Sequence, residues 1–357
     1  MQDRKYLVVG ARGLVGRAVL SALEAEGRVE VIGLSRRRPD FPTRARWIPC
    51  DLTDRDACRT ALSGTEMEGV THVVYAALQE MPDLISGWRD PVQIETNTRM
   101  LANLMQFVEP RDHLTLLQGT KAYGAHLAPM ALPGKESAPR HPGENFYWEQ
   151  EDLVRGRQAG SAWSFSILRP QIVCGVALGS PMNMVAAIGV YAAVMRQLGK
   201  PLCFPGGDGF VTEATDADLL ARAIVWAGRE PGCGNQTLNV TNGDVLDWLS
   251  LWPVIGEIFD MPVGDPEPVR LATSMPELSD VWDEVAAQHR LRPMTMADLI
   301  GDSWQFADAV FGYGGGARST LLSTIKIRQL GFHDCIDTEQ MFRNQLAALQ
   351  DLKVLPR

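Results

Sequence analysis

One segment constrains the fold of this chain more than any other. An apolar run at residues 5–9 leads into Gly10-Ala11-Arg12-Gly13-Leu14-Val15-Gly16, and residues 17–27 follow with apolar positions at helical spacing. Each glycine in such a strand–turn–helix has a physical task. Gly10 permits the tight turn, Gly13 lets an anion approach the backbone, and Gly16 allows close packing of helix on strand. Leu14 and Val15 open the helix, whose first amides have no partner within it and face the turn. Three glycines alone are a weak signal. Between a strand and a helix they predict a dinucleotide site.

The rest of the N-terminal half repeats the unit. Strands are predicted at residues 29–34, within 44–54, at 70–77, 113–119 and 163–170, alternating with helices that include residues 95–108 and 146–158. Strand alternating with helix is the pattern of a doubly wound, mainly parallel α/β sheet of the Rossmann type. After residue 175 the pattern turns irregular and helix-rich, with one strand-like piece at 237–244. Two units are therefore expected: residues 1–175 as the dinucleotide-binding domain, and 176–357 mainly as a smaller substrate lobe, partly interleaved with the sheet. Asp216, in Asp216-Ala217-Asp218-Leu219, is expected to cap a helix.

Composition narrows the partners. The net charge is −9, which disfavours nucleic acid. The six cysteines form no C-x-x-C pair and the six histidines show no ligand spacing, so no metal site is expected and buried reduced thiols are. The start of the chain shows no signal peptide, and the longest apolar run, 182–195, is shorter than the ~20 residues a bilayer requires. A cytoplasmic protein without a membrane segment is the expectation.

Cofactor choice is read at the end of the second strand. An NAD site places an acid there; this chain places Ser35, Arg36, Arg37 and Arg38. Clustered guanidinium groups suit a 2′-phosphate, which predicts NADPH/NADP+. Asp51, with Leu52 beside it, is placed to accept from the adenine amino group, and Ala76 and Ala77 keep the wall beside the cofactor small.

The catalytic apparatus is unusual. Tyr-x-x-x-Lys, the pair of most short-chain dehydrogenases, occurs nowhere in the chain; four residues after Tyr147 stands Glu151. A lysine appears instead in Leu117-Gln118-Gly119-Thr120-Lys121-Ala122-Tyr123-Gly124, and Tyr147 lies in Asn145-Phe146-Tyr147-Trp148. Together with Arg36-Arg37 and the segments at 163–175, 182–194, 214–227 and 303–312, these motifs resemble the progesterone 5β-reductase/iridoid synthase-like family of 1,4-enone reductases, within the extended short-chain dehydrogenases/reductases. The resemblance spans nearly the whole chain. It implies Lys121 and Tyr147 as the catalytic pair, Gln118, Gly119, Pro170 and Val173 beside the cofactor, and a substrate cavity walled by Met182, Met184, Tyr191, Trp304 and Phe306. Three departures stand out: Ala122 where the family often has histidine, Trp148 in place of a second tyrosine, and a shorter segment between Lys121 and Tyr147.

The implied reaction moves a hydride from NADPH to the β-carbon of an α,β-unsaturated carbonyl. The enolate oxygen then needs preorganised donors, here Tyr147 and Lys121. The expected partner is a small apolar enone or enal, and a homodimer is a possibility by analogy alone. A carbonyl reductase or sugar-nucleotide epimerase of the same superfamily, and a non-catalytic NADP(H) sensor, are the competing readings.

Overall fold

The computed structural model describes residues 4–84, 86–315 and 318–357. Its centre is a seven-stranded sheet: β1 (Arg4–Val9), β2 (Val29–Ser35), β3 (Arg46–Pro49), β4 (His72–Tyr75), β5 (His113–Leu117), β6 (Ser164–Pro170) and, from the C-terminal half, β7 (Gln236–Val240). The spatial order is β7-β6-β5-β4-β1-β2-β3 and every pairing is parallel. The chain leaves β1 toward β2 on one side and resumes at β4 on the other. That reversal opens a crevice beyond the carboxyl ends of β1 and β4, where ligands sit in open α/β sheets. The expected α/β class is what is observed.

The central strands are apolar because both faces are covered. Along β1, Leu7 and Val9 face one core, while Tyr6 and Val8 face the other, the period of two that a pleated strand imposes. Helices α2 (Arg55–Leu62), α3 (Pro91–Phe107) and α4 (Phe146–Gln158) cover the first face; α1 (Leu14–Glu26) and α6 (Ala217–Ala227) cover the second. Asp216 caps α6, accepting from the amides of Asp218 and Leu219 at 2.9 Å each. Helix α3 starts at Pro91, four residues before the predicted start. Asp90 caps it and Pro91 takes the first position, where its missing N–H costs nothing.

The C-terminal lobe is built around α5 (Met184–Gln197), buried on every side from Met184 to Met195. Asn183 caps it, its side chain accepting from the amides of Val185 and Ala186. Trp248, Trp252, Phe311 and Phe342 pack about it edge to face. This helix is apolar all round because it is the axis of a second core. Among the described residues, no helix is long and apolar enough to cross a membrane, and no group of His, Cys, Asp and Glu is arranged to hold a metal ion.

Candidate active site

A cleft of about 770 Å³ follows the carboxyl ends of the strands and continues between sheet and C-terminal lobe. Its two halves have different chemistry.

The first half is a cradle that fits a dinucleotide. Gly10 adopts φ +85°, and a Cβ there would lie 2.6 Å from the Ala76 carbonyl oxygen. Gly13 caps α1 without a side-chain hydrogen bond, and the first turn of the helix carries no acid. The opening amides therefore lack an internal partner and favour an anion. Gly10, Gly13, Leu14 and Val15 line the cleft; Gly16 stands behind it. A Cβ at Gly16 would lie 2.8 Å from the Gly10 carbonyl carbon and 2.9 Å from Ala11 Cα, so its part is to let α1 close on the turn.

Ser35, Arg36 and Arg37 line the far end of this half, both arginines exposed. The Ser35 hydroxyl donates to the Arg37 carbonyl at 2.7 Å and accepts from the Trp47 indole at 3.2 Å, which pins the turn. Arg38 is not in the cleft wall. Asp51 lines it, with Leu52, Ala76 and Ala77. One Asp51 oxygen accepts from the amide and hydroxyl of Thr53 at 2.9 and 2.7 Å. Burial opposes its ionisation, but these bonds and the Arg36 charge outweigh it and hold the carboxyl below its usual range. Arg12, unremarked in the sequence, also borders the cleft and is paired with Asp40 at 3.1 Å.

The second half brings Lys121 and Tyr147 together from separate elements. β5 runs out through Gln118 and Gly119 into a 3-10 turn, Thr120–Tyr123, closed by Gly124 at φ +72°. Lys121 rides on this turn; Tyr147 is the second residue of α4. Asn145 couples the two, because its side-chain oxygen accepts from the Tyr147 amide at 3.0 Å while its amide donates to the Lys121 carbonyl at 3.0 Å. The Tyr147 hydroxyl lies 3.5 Å from where a Gly119 Cβ would stand, so a side chain at 119 would crowd it. Both side chains pack on Trp88: Lys121 Nζ is 3.7 Å from one ring centroid, and the Tyr147 ring meets the indole edge-on at 5.1 Å.

Electrostatics follow from this dry setting. Burial, reinforced by the nearby Glu80 charge, raises the Tyr147 phenol far above its ordinary value, although Arg169 opposes this; it is a neutral donor at neutral pH. Burial lowers Lys121 to about 8, with Glu80 pulling the other way. His126, beside Trp88 in the same wall, is lowered to about 4 by burial and by the Lys121 charge, so it is neutral.

Glu151, at the usual lysine position, points away from the cleft. It accepts from Gln118 at 3.1 Å and from Arg155 at 2.9 Å, and lies 3.3 and 3.6 Å from Arg140 and Arg169. Gln118 also donates to the Tyr147 carbonyl at 3.1 Å and accepts from Arg169 at 2.8 Å. This buried network ties α4 to the ends of β5 and β6. Trp148 lies outside the cleft wall, so Tyr147 is the member of the Tyr147-Trp148 pair that faces it, and Ala122 packs in a small core with Trp88 and Phe146.

Gln118, Gly119, Pro170 and Val173 line the cleft where expected, as do Met182 and Phe306. Ile172 and Met182 hold positive φ of 34° and 62° there, strained backbone in the cleft wall. Three expected wall residues belong elsewhere. Met184 is fully buried on α5, Trp304 packs in the lobe core, and the Tyr191 hydroxyl turns inward to donate to the Cys203 carbonyl at 3.0 Å. Phe210, Thr212, Val310 and Thr320 stand in the wall instead.

The pattern of the NAD dependent epimerase/dehydratase family matches residues 6–240. The chain is 30% identical over 377 aligned residues to an (S)-8-oxocitronellyl enol synthase of Antirrhinum majus, covering 98% of this chain and 92% of that one. It is 29% identical to a 3-oxo-Delta(4,5)-steroid 5-beta-reductase of Arabidopsis thaliana with the same coverage. In fold it is similar to the UDP-glucose 4-epimerase of Thermotoga maritima, with TM-score 0.69 at 17% identity over 97% of this chain and 99% of that one. With a family pattern over most of its length and plant enol-synthase and 5β-reductase relatives across nearly all of it, the chain belongs to the progesterone 5β-reductase/iridoid synthase-like branch of the NAD dependent epimerase/dehydratase family.

Proposed function

We propose that the protein is an NADPH-dependent ene-reductase acting on a small apolar enone or enal. The observation that carries this reading is the convergence of Lys121 and Tyr147 on Trp88, while the usual lysine position is occupied by the ion-paired Glu151. When bound, NADPH supplies the hydride that reaches the substrate's β-carbon. Gly10, Gly13, Leu14 and Val15 seat the pyrophosphate, with Gly16 packing behind them; Arg36 and Arg37, with Ser35, take the 2′-phosphate. Asp51 and Leu52 border the adenine. Ala76, Ala77, Gln118, Gly119, Pro170 and Val173 flank the nicotinamide half.

Negative charge grows on the carbonyl oxygen of the substrate as the β-carbon is reduced. Tyr147 meets it with a neutral hydroxyl and Lys121 with positive charge, both held by packing so that neither must reorganise. The α-carbon takes its proton from water. Met182, Phe210 and Phe306 supply the apolar wall.

The test is product analysis after mixing protein, NADPH and 2-cyclohexen-1-one. Saturated ketone is expected; allylic alcohol would establish carbonyl reduction, and NADPH binding without turnover on any small enone or enal a sensor. Tyr147→Phe and Lys121→Met should each lower kcat about 10²–10³-fold, the usual worth of an oxyanion donor, with NADPH affinity retained. Wild-type turnover in both would refute the assignment.

A further inference from the structure

Behind the catalytic wall lies a carboxylate that the mechanism above does not use. Glu80 follows β4, and its Oε2 accepts from the Gln93 amide at 2.9 Å. The orientation of that amide is fixed, since Gln93 Oε1 must accept from the Met81 N–H at 2.8 Å. Glu80 Oε1 is buried without a hydrogen-bond partner, and so is the Trp88 indole nitrogen. The Trp88 indole lies near enough to Glu80 to favour its ionised form, and the same indole carries Lys121 Nζ on its face at 3.7 Å. Among the described residues neither Glu80 nor Lys121 makes a direct ion pair. Burying a carboxylate with one oxygen unbonded costs stability, so packing alone is a poor account of Glu80.

We propose that Glu80 is a positioning residue for Lys121: its buried carboxylate, held by Gln93 and backed by Trp88, is the counter-charge that keeps the Lys121 amine protonated where the substrate's carbonyl oxygen is received. The inference rests on the reading of Lys121 given above. The other groups around the pair do not supply this charge. Tyr147 is neutral, and His126, with Arg89 and His141 behind it, is uncharged near neutrality. Burial pushes the Glu80 carboxyl above its usual range and Asp302 adds to this; Lys121 is the charge that favours its ionised form, with Gln93 and Trp88 assisting. Glu80 in turn is the charge that favours the ammonium form of Lys121 against desolvation.

The test follows acetylation of Lys121 by limiting acetic anhydride from pH 6 to 10, read by mass spectrometry, in wild type, Glu80→Gln and Glu80→Asp. In parallel, the pH profile of kcat/KM is measured with NADPH and 2-cyclohexen-1-one. Glu80→Gln should move the labelling midpoint down by about 1 unit or more, the effect of losing a nearby opposite charge. The alkaline limb of kcat/KM should move with it, and Glu80→Asp should recover part of both shifts. An unchanged labelling midpoint in both variants, or a loss of activity equal at every pH, overturns the proposal. A shifted midpoint in a protein whose wild type reduces no enone upholds the pairing and refutes the ene-reductase reading alone.

Discussion

Mild acid should destabilise this protein through two histidines at the end of the sheet remote from the cleft. His72 opens β4 and His113 opens β5, neighbours in parallel register with ring centroids 6.4 Å apart. His72 stacks on Tyr6 at 4.5 Å, and its ring nitrogens meet the Thr71 hydroxyl at 2.7 Å and the Gly228 carbonyl at 3.0 Å. His113 Nδ1 meets the Ser164 hydroxyl at 2.8 Å, and its Nε2 is buried without a partner. A proton on Nε2 would be a buried donor with nothing to accept it. Burial lowers His72 to about 4 and His113 to about 3, the latter helped by the His72 charge. Both folded values lie below the unfolded value of ~6.5, so the unfolded chain binds more protons as pH falls. Stability is full above ~6.5, declines below it, and stops declining once the folded rings titrate. Between pH 7.5 and pH 5 the loss is about 2 kcal/mol per histidine, about 4 kcal/mol for the pair, against total stabilities of about 5–15 kcal/mol. The assay is urea unfolding followed by tryptophan fluorescence at both pH values, in wild type and in His113→Asn. Asparagine keeps a donor toward Ser164 and cannot titrate. Each protein is compared with itself, so any cavity cost cancels, and the variant should lose about 2 kcal/mol less than wild type over this interval. An equal loss in both would refute the reasoning.

Two further perturbations probe the cradle. Arg36→Ala with Arg37→Ala should lower the NADPH/NADH preference about 10- to 100-fold, a modest figure because exposed guanidinium groups act through solvent; kcat/KM with each nucleotide measures it, and an unchanged ratio would refute the 2′-phosphate role. Gly16→Ala should lower stability by about 2 kcal/mol although alanine favours helix, because the new methyl meets Gly10 and Ala11 backbone that no rotamer can avoid. Thermal unfolding reads it, and a raised midpoint would contradict the packing described.

How far the sequence exposes this architecture depends on the range over which each signal acts. Strands covered on both faces are written as continuous apolar runs, and the glycine turn is fixed by contacts within a few residues of itself, so both are legible. The cap of α3 is also local, in Asp90-Pro91, but helical periodicity there begins later and places the predicted start at residue 95. The substrate wall is different. In α5 every side from Met184 to Met195 is buried, so nothing in the pattern separates a residue facing a cavity from one facing another helix. The pattern therefore offers Met184 and Tyr191 as wall residues, whereas both lie in the core. Trp88, Glu80 and Gln93 carry no such signal, because their part depends on meeting Lys121 and Tyr147 from the segment between β4 and the first turn of α3, distant in sequence and with no spacing to announce it.

Glu151 and Lys121 are best understood as one change. Residues four apart on a helix share a face, yet Tyr147 reaches the cleft while Glu151 ends among Gln118, Arg140, Arg155 and Arg169. A lysine at 151 would place an ammonium beside three guanidinium groups and leave the buried Arg169 without its carboxylate. Breaking such a buried set costs about 3–5 kcal/mol, and the displaced ammonium would still point away from the substrate. Glu151→Lys should therefore be destabilised in denaturant by at least that range's lower end, and should restore no turnover when added to Lys121→Met. A stable double variant with recovered enone reduction would show that the two positions are interchangeable. The geometry sets them apart: residue 151 is committed to holding α4 on the sheet, Lys121 rides the turn after β5, and Asn145, bonded to both elements, sets the register between Lys121 and Tyr147.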